Sequence, residues 1–244
     1  ATGFLLWALP TFTVIFALGF LDRYTWLGNT PQIANAILFS GVIMTASGGI
    51  LGALQRHLGR ILAYAAIAET GMLLLALGLQ SADLVNIVFL MLIPRGLEFS
   101  VWALALSIIK RSAYPLKFSD VQGMARNYPV AAAALVIAHL SVAGFPLLAG
   151  FPSRLALWQE LSLQSLEASF WVFLGLAGLL IAAIRTLAAL VMAGEDTKWA
   201  VKESWMQISM LGIGVFGLFL LGLFPQTLQP FLSSLPDLFE HLFQ

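Results

Sequence analysis

The chain has no cysteine, three histidines and little charge. The missing cysteines exclude disulfides, thiolate catalysis and cysteine-ligated iron–sulfur clusters. His57, His139 and His241 are too scattered to suggest a haem or zinc site. Only 10% of residues are charged, against roughly 25% in a soluble domain. Lys and Arg balance Asp and Glu at twelve each, so no excess of positive charge points to nucleic acid. No basic region with a cleavage site marks a signal peptide. The start, Ala1-Thr2-Gly3, lacks methionine and fits a processed product or part of a longer chain. What is abundant is hydrocarbon: 60% of residues are hydrophobic. A water-soluble protein this apolar would have too little polar surface to stay dispersed.

That apolar content falls into seven stretches, at 4–21, 34–54, 59–79, 84–109, 129–163, 170–193 and 207–224. A bilayer core of roughly 30 Å takes about 20 helical residues to cross. None of the stretches alternates as a barrel strand would. Backbone polar groups in lipid must be paired within the segment, so the stretches are expected to be helices. The expectation is an all-α integral membrane protein with seven transmembrane helices in a domain over 1–227. A tail at 228–244, with Phe231, Leu235, Leu238, Phe239 and Leu242, reads as an interfacial helix.

Charge placement gives orientation. Loops on the side where the first span starts carry Arg56, Arg60, Lys110, Arg111, Lys117, Arg126, Lys198 and Lys202. Loops on the other side carry Arg23 alone. Basic loops stay on the cytoplasmic side, or its matrix or stromal equivalent. The N-terminus is therefore expected inside and the C-terminus on the opposite side. The polar segment 114–126, bounded by Pro115 and Pro129, should lie along the inner face.

The stretch 129–163 is too long for one straight crossing. Its middle holds Gly144, Pro146, Gly150 and Pro152. Prolines and glycines this dense remove backbone hydrogen bonds and should break this fifth helix near mid-membrane. Non-helical backbone at that depth persists only where protein or a hydrated cavity covers it. Broken helices of this kind line ion and substrate paths in transporters, although a re-entrant bend without transport has the same pattern.

Two motifs resemble a known family. Gly59-Arg60-Ile61-Leu62-Ala63-Tyr64-Ala65-Ala66-Ile67 is similar to a signature of the antiporter-like subunits of respiratory complex I and of Mrp-type cation/proton antiporters. The run from Leu140 to Arg154 resembles the broken-helix motif of the same family, and 118–129 resembles its polar lead-in. The resemblance covers nearly the whole chain and is strongest from Arg56 to Trp158. It implies a fourteen-helix protein in two inverted halves, of which this chain matches helices eight to fourteen. It also implies a membrane-arm subunit of a complex I-like NADH/quinone oxidoreductase, taking part in proton translocation. Its partners would be other membrane subunits, among them a chain supplying the missing helices or a neighbouring antiporter-like subunit, and lipids. Flavin, iron–sulfur and quinone would belong to partner subunits, with no cofactor or metal in this chain. The membrane would be an energy-transducing one: bacterial plasma, mitochondrial inner or thylakoid. The alternatives are a degenerate, non-pumping structural subunit and part of a stand-alone cation/proton antiporter.

Ionisable groups inside lipid are functional candidates by default. Glu69, Arg95, Glu98, His139 and Arg154 form the expected proton or ion pathway. Arg95 and Glu98 are three residues apart and should neutralise one another on one helix face. His139 can exchange protons near neutrality, or simply be a buried hydrogen-bonded histidine. Glu69 should be neutral or paired at mid-span. Arg154 stands where the family has lysine. Arginine keeps its proton, its pKa exceeding about 12, so Arg154 can be a fixed charge but not a proton carrier. The first span has no ionisable residue where the family helix holds lysine or histidine; Thr11 and Thr13 can hold only water. Arg185 should snorkel to the headgroups. Glu160 and Glu167 should lie near the outer surface. Trp7, Trp26, Trp158, Trp171, Trp199 and Trp205 read as interfacial anchors. Gly48, Gly49 and Gly52, and Gly212, Gly214, Gly217 and Gly222, should allow close helix packing.

Overall fold

The computed structural model describes residues 2–24, 26, 30–79, 84–192 and 200–228. Among them the structure is helical: α1 (Thr2–Arg23), α2 (Pro31–Leu54), α3 (Leu58–Gly78), α4 (Leu84–Lys110), α5 (Pro129–Val142), α6 (Gly150–Gln164), α7 (Leu166–Val191) and α8 (Trp205–Leu223). Short 3-10 turns lie at Met124–Arg126 and Pro225–Leu228. Six helices are long and apolar enough to cross a membrane: α1, α2, α3, α4, α7 and α8. The stretch 129–163 is two helices, α5 and α6, with residues 143–149 between them. The expected tail helix at 228–244 lies outside the described residues from 229 on.

Local chemistry sets the helix ends. Pro31 opens α2 at a position where its missing N–H costs nothing. The His57 ring accepts from the Gly59 N–H at 3.1 Å and starts α3. Ser165 caps α7 through the Ala168 N–H. Ser204 and Gln207 cap α8 reciprocally. Glu203 accepts from the Val130 and Ala131 N–H groups at 3.2 and 2.6 Å, closing the start of α5 from a segment some seventy residues away.

The expected basic side is physically one surface. Leu58 N–H donates to Leu116 and Phe118 N–H to Arg56. Lys202 N–H donates to Asn127. The three loops holding the expected inner-face cations are thus tied together at one end of the bundle. The segment 114–126 runs there as turns ending in the 3-10 turn, against the α2–α3 loop. Arg185 departs from expectation: its guanidinium donates to the Ala53 carbonyl in the last turn of α2 and lies over the Phe118 ring. A cation at an uncapped helix C-terminus is stabilised by the free carbonyls, so it turns inward rather than to headgroups. Trp7 departs too, donating from its indole to the Leu92 carbonyl of α4 at 2.9 Å.

Glycine sets the tightest helix contacts. A methyl at Gly48 would lie 2.7 Å from the Ala68 nitrogen of α3, and Gly49 and Gly178 meet backbone to backbone where α2 crosses α7. Gly214, Gly217 and Gly222 face Val101, Leu97 and Leu147, whereas Gly212 faces open space. The buried apolar residues form two clusters. One runs from Leu58 and Ile109 to Phe99 and Val142; the other runs from Met72 and Leu92 to Leu157 and Val172. On α3 the boundary between them falls at Glu69, and on α4 at Arg95 and Glu98. Polar side chains therefore form a middle layer between two apolar ones.

Gly49→Ala should force α2 off α7 and cost about 1–3 kcal/mol, the usual range for overpacking. Gly212→Ala, with no neighbour to meet, should be neutral or slightly stabilising, since alanine favours helix by about 1 kcal/mol. Thermal unfolding of both variants in detergent checks the contrast.

Candidate functional site

Three helices deliver charge to the middle layer. Glu69 projects from α3, Glu98 from α4 and Arg154 from α6, and all three are at most 5% exposed. Arg154 Nη2 donates to Glu69 Oε1 and also to Glu98 Oε2, the second at 3.3 Å. One guanidinium therefore holds two carboxylates. Taking each charge out of water costs several kcal/mol, and mutual attraction offsets this only when hydrogen bonds satisfy what remains.

The helix break supplies some of those bonds, while Arg154 Nε is buried without a partner among the described residues. α5 ends in a Schellman turn: Gly144 N–H donates to the Ser141 carbonyl and Phe145 N–H to Leu140, both at 2.9 Å. This turn needs a left-handed residue, and Gly144 has φ +78. Pro146 follows, where no helix can continue. Gly150 then opens α6, with Pro152 in its first turn. The Gly150 N–H donates to Ser141 Oγ at 3.1 Å, and the Ser141 hydroxyl donates to Glu98 Oε1 at 2.6 Å. A methyl at Gly150 would overlap the Arg154 guanidinium, the Ser141 carbonyl and the Glu98 carboxylate. Glycine is thus required for close approach, and the first N–H of α6 reaches the Glu98 carboxylate through the Ser141 hydroxyl.

Arg95 and Glu98 do not pair, contrary to the spacing on α4. Glu98 is taken by Arg154 and Ser141 on the side of the break. Arg95 turns the other way, donating to Thr70 Oγ1 at 3.0 Å and the Leu6 carbonyl of α1 at 3.3 Å, with Phe99 beneath its guanidinium. Side chains three apart share a face only if nothing nearer competes; here nearer partners stand on both sides. Arg95 Nε and Nη1 and Thr11 Oγ1 are buried without a partner among the described residues.

His139 lies apart from the cluster. It is two residues from Ser141 on α5, hence on nearly the opposite face. Its ring is 4.2 Å from Trp102, centroid to centroid, and both nitrogens lack a partner in good geometry. The Leu179 carbonyl is turned toward it without meeting hydrogen-bond geometry. Glu160 is half-buried and Glu167 exposed, both near the α6–α7 junction. Thr13 is exposed and bonds back to Leu9. No group of three or more His, Cys, Asp or Glu suited to a metal occurs among the described residues.

Sequence reasoning missed Ser141, Ser153 and Thr70. Ser153 Oγ donates to the Gly150 carbonyl at 3.0 Å and braces the turn. The available signal was a hydroxyl at each edge of the Gly/Pro break and one beside Glu69, all within otherwise apolar spans.

An antiporter-like membrane fold, with charges gathered on a broken helix, is the class this geometry defines. The chain belongs to the family described as NADH:quinone oxidoreductase/Mrp antiporter, TM, which matches residues 2–184. It is similar to NADH-quinone oxidoreductase subunit N of Dehalococcoides mccartyi, 27% identical over 84% of this chain and 44% of that one. It is also similar to NADH-quinone oxidoreductase subunit 14 of Thermus thermophilus, 29% identical over 84% of this chain and 46% of that one. In fold it resembles a chain of respiratory complex I from Thermus thermophilus with bound NADH, at TM-score 0.75 and 20% identity, covering 87% of this chain and 45% of that one. A chain of the Mrp complex from Dietzia sp. gives TM-score 0.66 at 17% identity, covering 78% and 45%. The chain spans less than half the length of the curated relatives it matches.

Removing Arg154 should leave Glu69 and Glu98 facing Arg95 alone, one buried negative charge in excess. Arg154→Met should cost about 3–5 kcal/mol. Adding Glu69→Gln to that change should recover part of the loss, because one cation, Arg95, then balances one anion, Glu98. Thermal unfolding in detergent of the single and double variants checks this.

Proposed function

We propose that this chain is a membrane-arm subunit of a complex I-like quinone oxidoreductase and takes part in proton translocation through its buried charges. The observation that carries the reading is the single guanidinium of Arg154 shared between Glu69 and Glu98 at a helix break. Protonation of one group in such a cluster changes the electrostatic field at the next, and a low dielectric strengthens the coupling. Arg95 extends the row toward α1 through Thr70 and the Leu6 carbonyl. His139 stands behind Trp102 and is coupled to the row only through α5.

In this reading α5 and α6 together make a seventh crossing, interrupted in the middle layer. Fourteen and fifteen residues at about 1.5 Å each, with the break between, are long enough for a bilayer with its interfaces. The basic loop surface faces the cytoplasm or its equivalent. The chain corresponds to the second of the two repeats of longer relatives, residues 1–227 forming the transmembrane domain. Other membrane subunits flank it and include one that supplies the first repeat. Flavin, iron–sulfur centres and quinone belong to those partners.

One observation favours a second reading, a subunit that supports the arm without pumping. Arg154 does not release its proton, and α1 offers only hydroxyls near the row. Reconstitution of the purified complex into vesicles separates the two. NADH–quinone turnover and acidification of the lumen are followed together. Glu98→Gln should lower protons moved per electron while leaving electron transfer from NADH running. An unchanged ratio would favour the supporting role.

A further inference from the structure

We infer that Glu69 is the group in this cluster that takes up and releases a proton, while Glu98, held by Ser141, is the permanent anion that keeps Arg154 in place. The inference rests on the transport reading above and assigns roles within it.

The argument is an inventory of donors. Gly150 N–H occupies a lone pair of Ser141 Oγ. The hydroxyl hydrogen of Ser141 is then free to point only outward, and the acceptor 2.6 Å away is Glu98 Oε1. Glu98 Oε2 receives Arg154. Both oxygens of Glu98 thus face hydrogens. A proton placed on either would remove the charge that strengthens both bonds, so the two donors favour the ionised carboxylate. Gly150 cannot swing away to relieve this, because Ser153 holds its carbonyl and no space surrounds its Cα.

Glu69 is differently placed. Arg154 Nη2 donates to Oε1, and Glu69 has no counterpart of the hydroxyl that Ser141 directs at Glu98. When a proton arrives on Glu69, Arg154 retains Glu98 as partner, so no buried cation is stranded at the break. When it leaves, the carboxylate returns to Arg154. The step is a proton added to or lost from one oxygen, with no other bond made or broken.

The charge balance decides what the proton does. Arg95, Arg154, Glu69 and Glu98 sum to zero when both acids are ionised. Protonating Glu69 leaves Glu98 with Arg154 and one uncompensated positive charge, which lies on Arg95. Arg95 is bonded to Thr70, the next residue after Glu69, and to the Leu6 carbonyl. The proton on α3 is thereby felt at α1. Among the described residues the charges acting on Glu69 are those of Arg154, Glu98 and Arg95, and α6 also carries Glu160, half-buried near the α6–α7 junction. α2 and α8 contain no ionisable residue. α1 has Asp22 and Arg23 only at its end. α7 carries Glu167 at its start and Arg185 bonded to Ala53. His139 of α5 faces Trp102.

The test is pH-difference infrared spectroscopy on the purified complex containing this chain, reading the C=O band of protonated buried carboxyls. Wild type should show a band that Glu69→Gln abolishes and that Ser141→Ala retains, whereas Glu98→Gln, which leaves Arg154 only Glu69 as its partner, should move the band's appearance to lower pH. Glu69→Asp, which keeps the acid but shortens it, should move the band rather than remove it. A band lost in Glu98→Gln and kept in Glu69→Gln would overturn the assignment, as would a spectrum that neither Glu69 variant alters. Proton pumping by the same samples is read in parallel. A band that belongs to Glu69 together with pumping that Glu69→Gln leaves intact would uphold the assignment and defeat the transport reading. Pumping lost in Glu69→Gln while the band tracks Glu98 would do the reverse.

Discussion

One guanidinium between two carboxylates, placed where a helix is broken, is the constraint that the rest of the bundle serves. Charges in hydrocarbon are tolerated when paired and hydrogen-bonded, and are strongly destabilising otherwise. Arg154 reaches both Glu69 and Glu98 because α6 restarts at Gly150, where the absent side chain leaves room for its guanidinium. Ser141 reaches Glu98 because α5 stops one residue later in a glycine turn. Each feature of the break has a partner in the cluster. Apolar layers above and below it exclude water, which strengthens every interaction between them.

The break also turns two helix termini toward these charges. The last carbonyls of α5 and the first N–H groups of α6 would be unsatisfied in an apolar interior. The Schellman turn closes part of the α5 end, and Ser141 accepts the first N–H of α6. The start of α6 is positive by its dipole and stands against Glu98. Charge, hydroxyl and backbone thus solve one another's burial problem. The far end of α5 is fixed too, by Glu203 from the segment leading into α8.

Much of this was legible in the amino-acid order. Long apolar runs specify helices because lipid leaves the backbone no other partner. Gly144, Pro146, Gly150 and Pro152 mark the interruption by their density, since a single proline is carried inside a helix at Pro10 of α1 and Pro94 of α4. The clustering of basic loops at one end followed from counting charges. Side-chain partnerships were less legible. Spacing put Arg95 with Glu98, but spacing knows only one helix, and Thr70 and Arg154 come from others. Arg185 and Trp7 read as interfacial from hydropathy, yet each finds a carbonyl inside the bundle. Ser141 is one hydroxyl among many in the sequence; only the fold shows that it joins Gly150 to Glu98. His139 looked like part of the row because it lies one turn from the break, while helical periodicity turns it to the opposite face.

The matched family and the fold agree on the NADH:quinone oxidoreductase/Mrp antiporter family, of whose curated members this chain spans less than half the length. The arginine at the break makes the central cation permanent. The most direct measurement is a side-chain-resolution map of this chain within its native assembly. The Arg154 guanidinium should lie between the Glu69 and Glu98 carboxyl groups, with Ser141 bridging Gly150 to Glu98. Density showing Arg154 turned away from both acids, or the acids separated by packed hydrocarbon, would contradict the shared-cation site on which everything here depends.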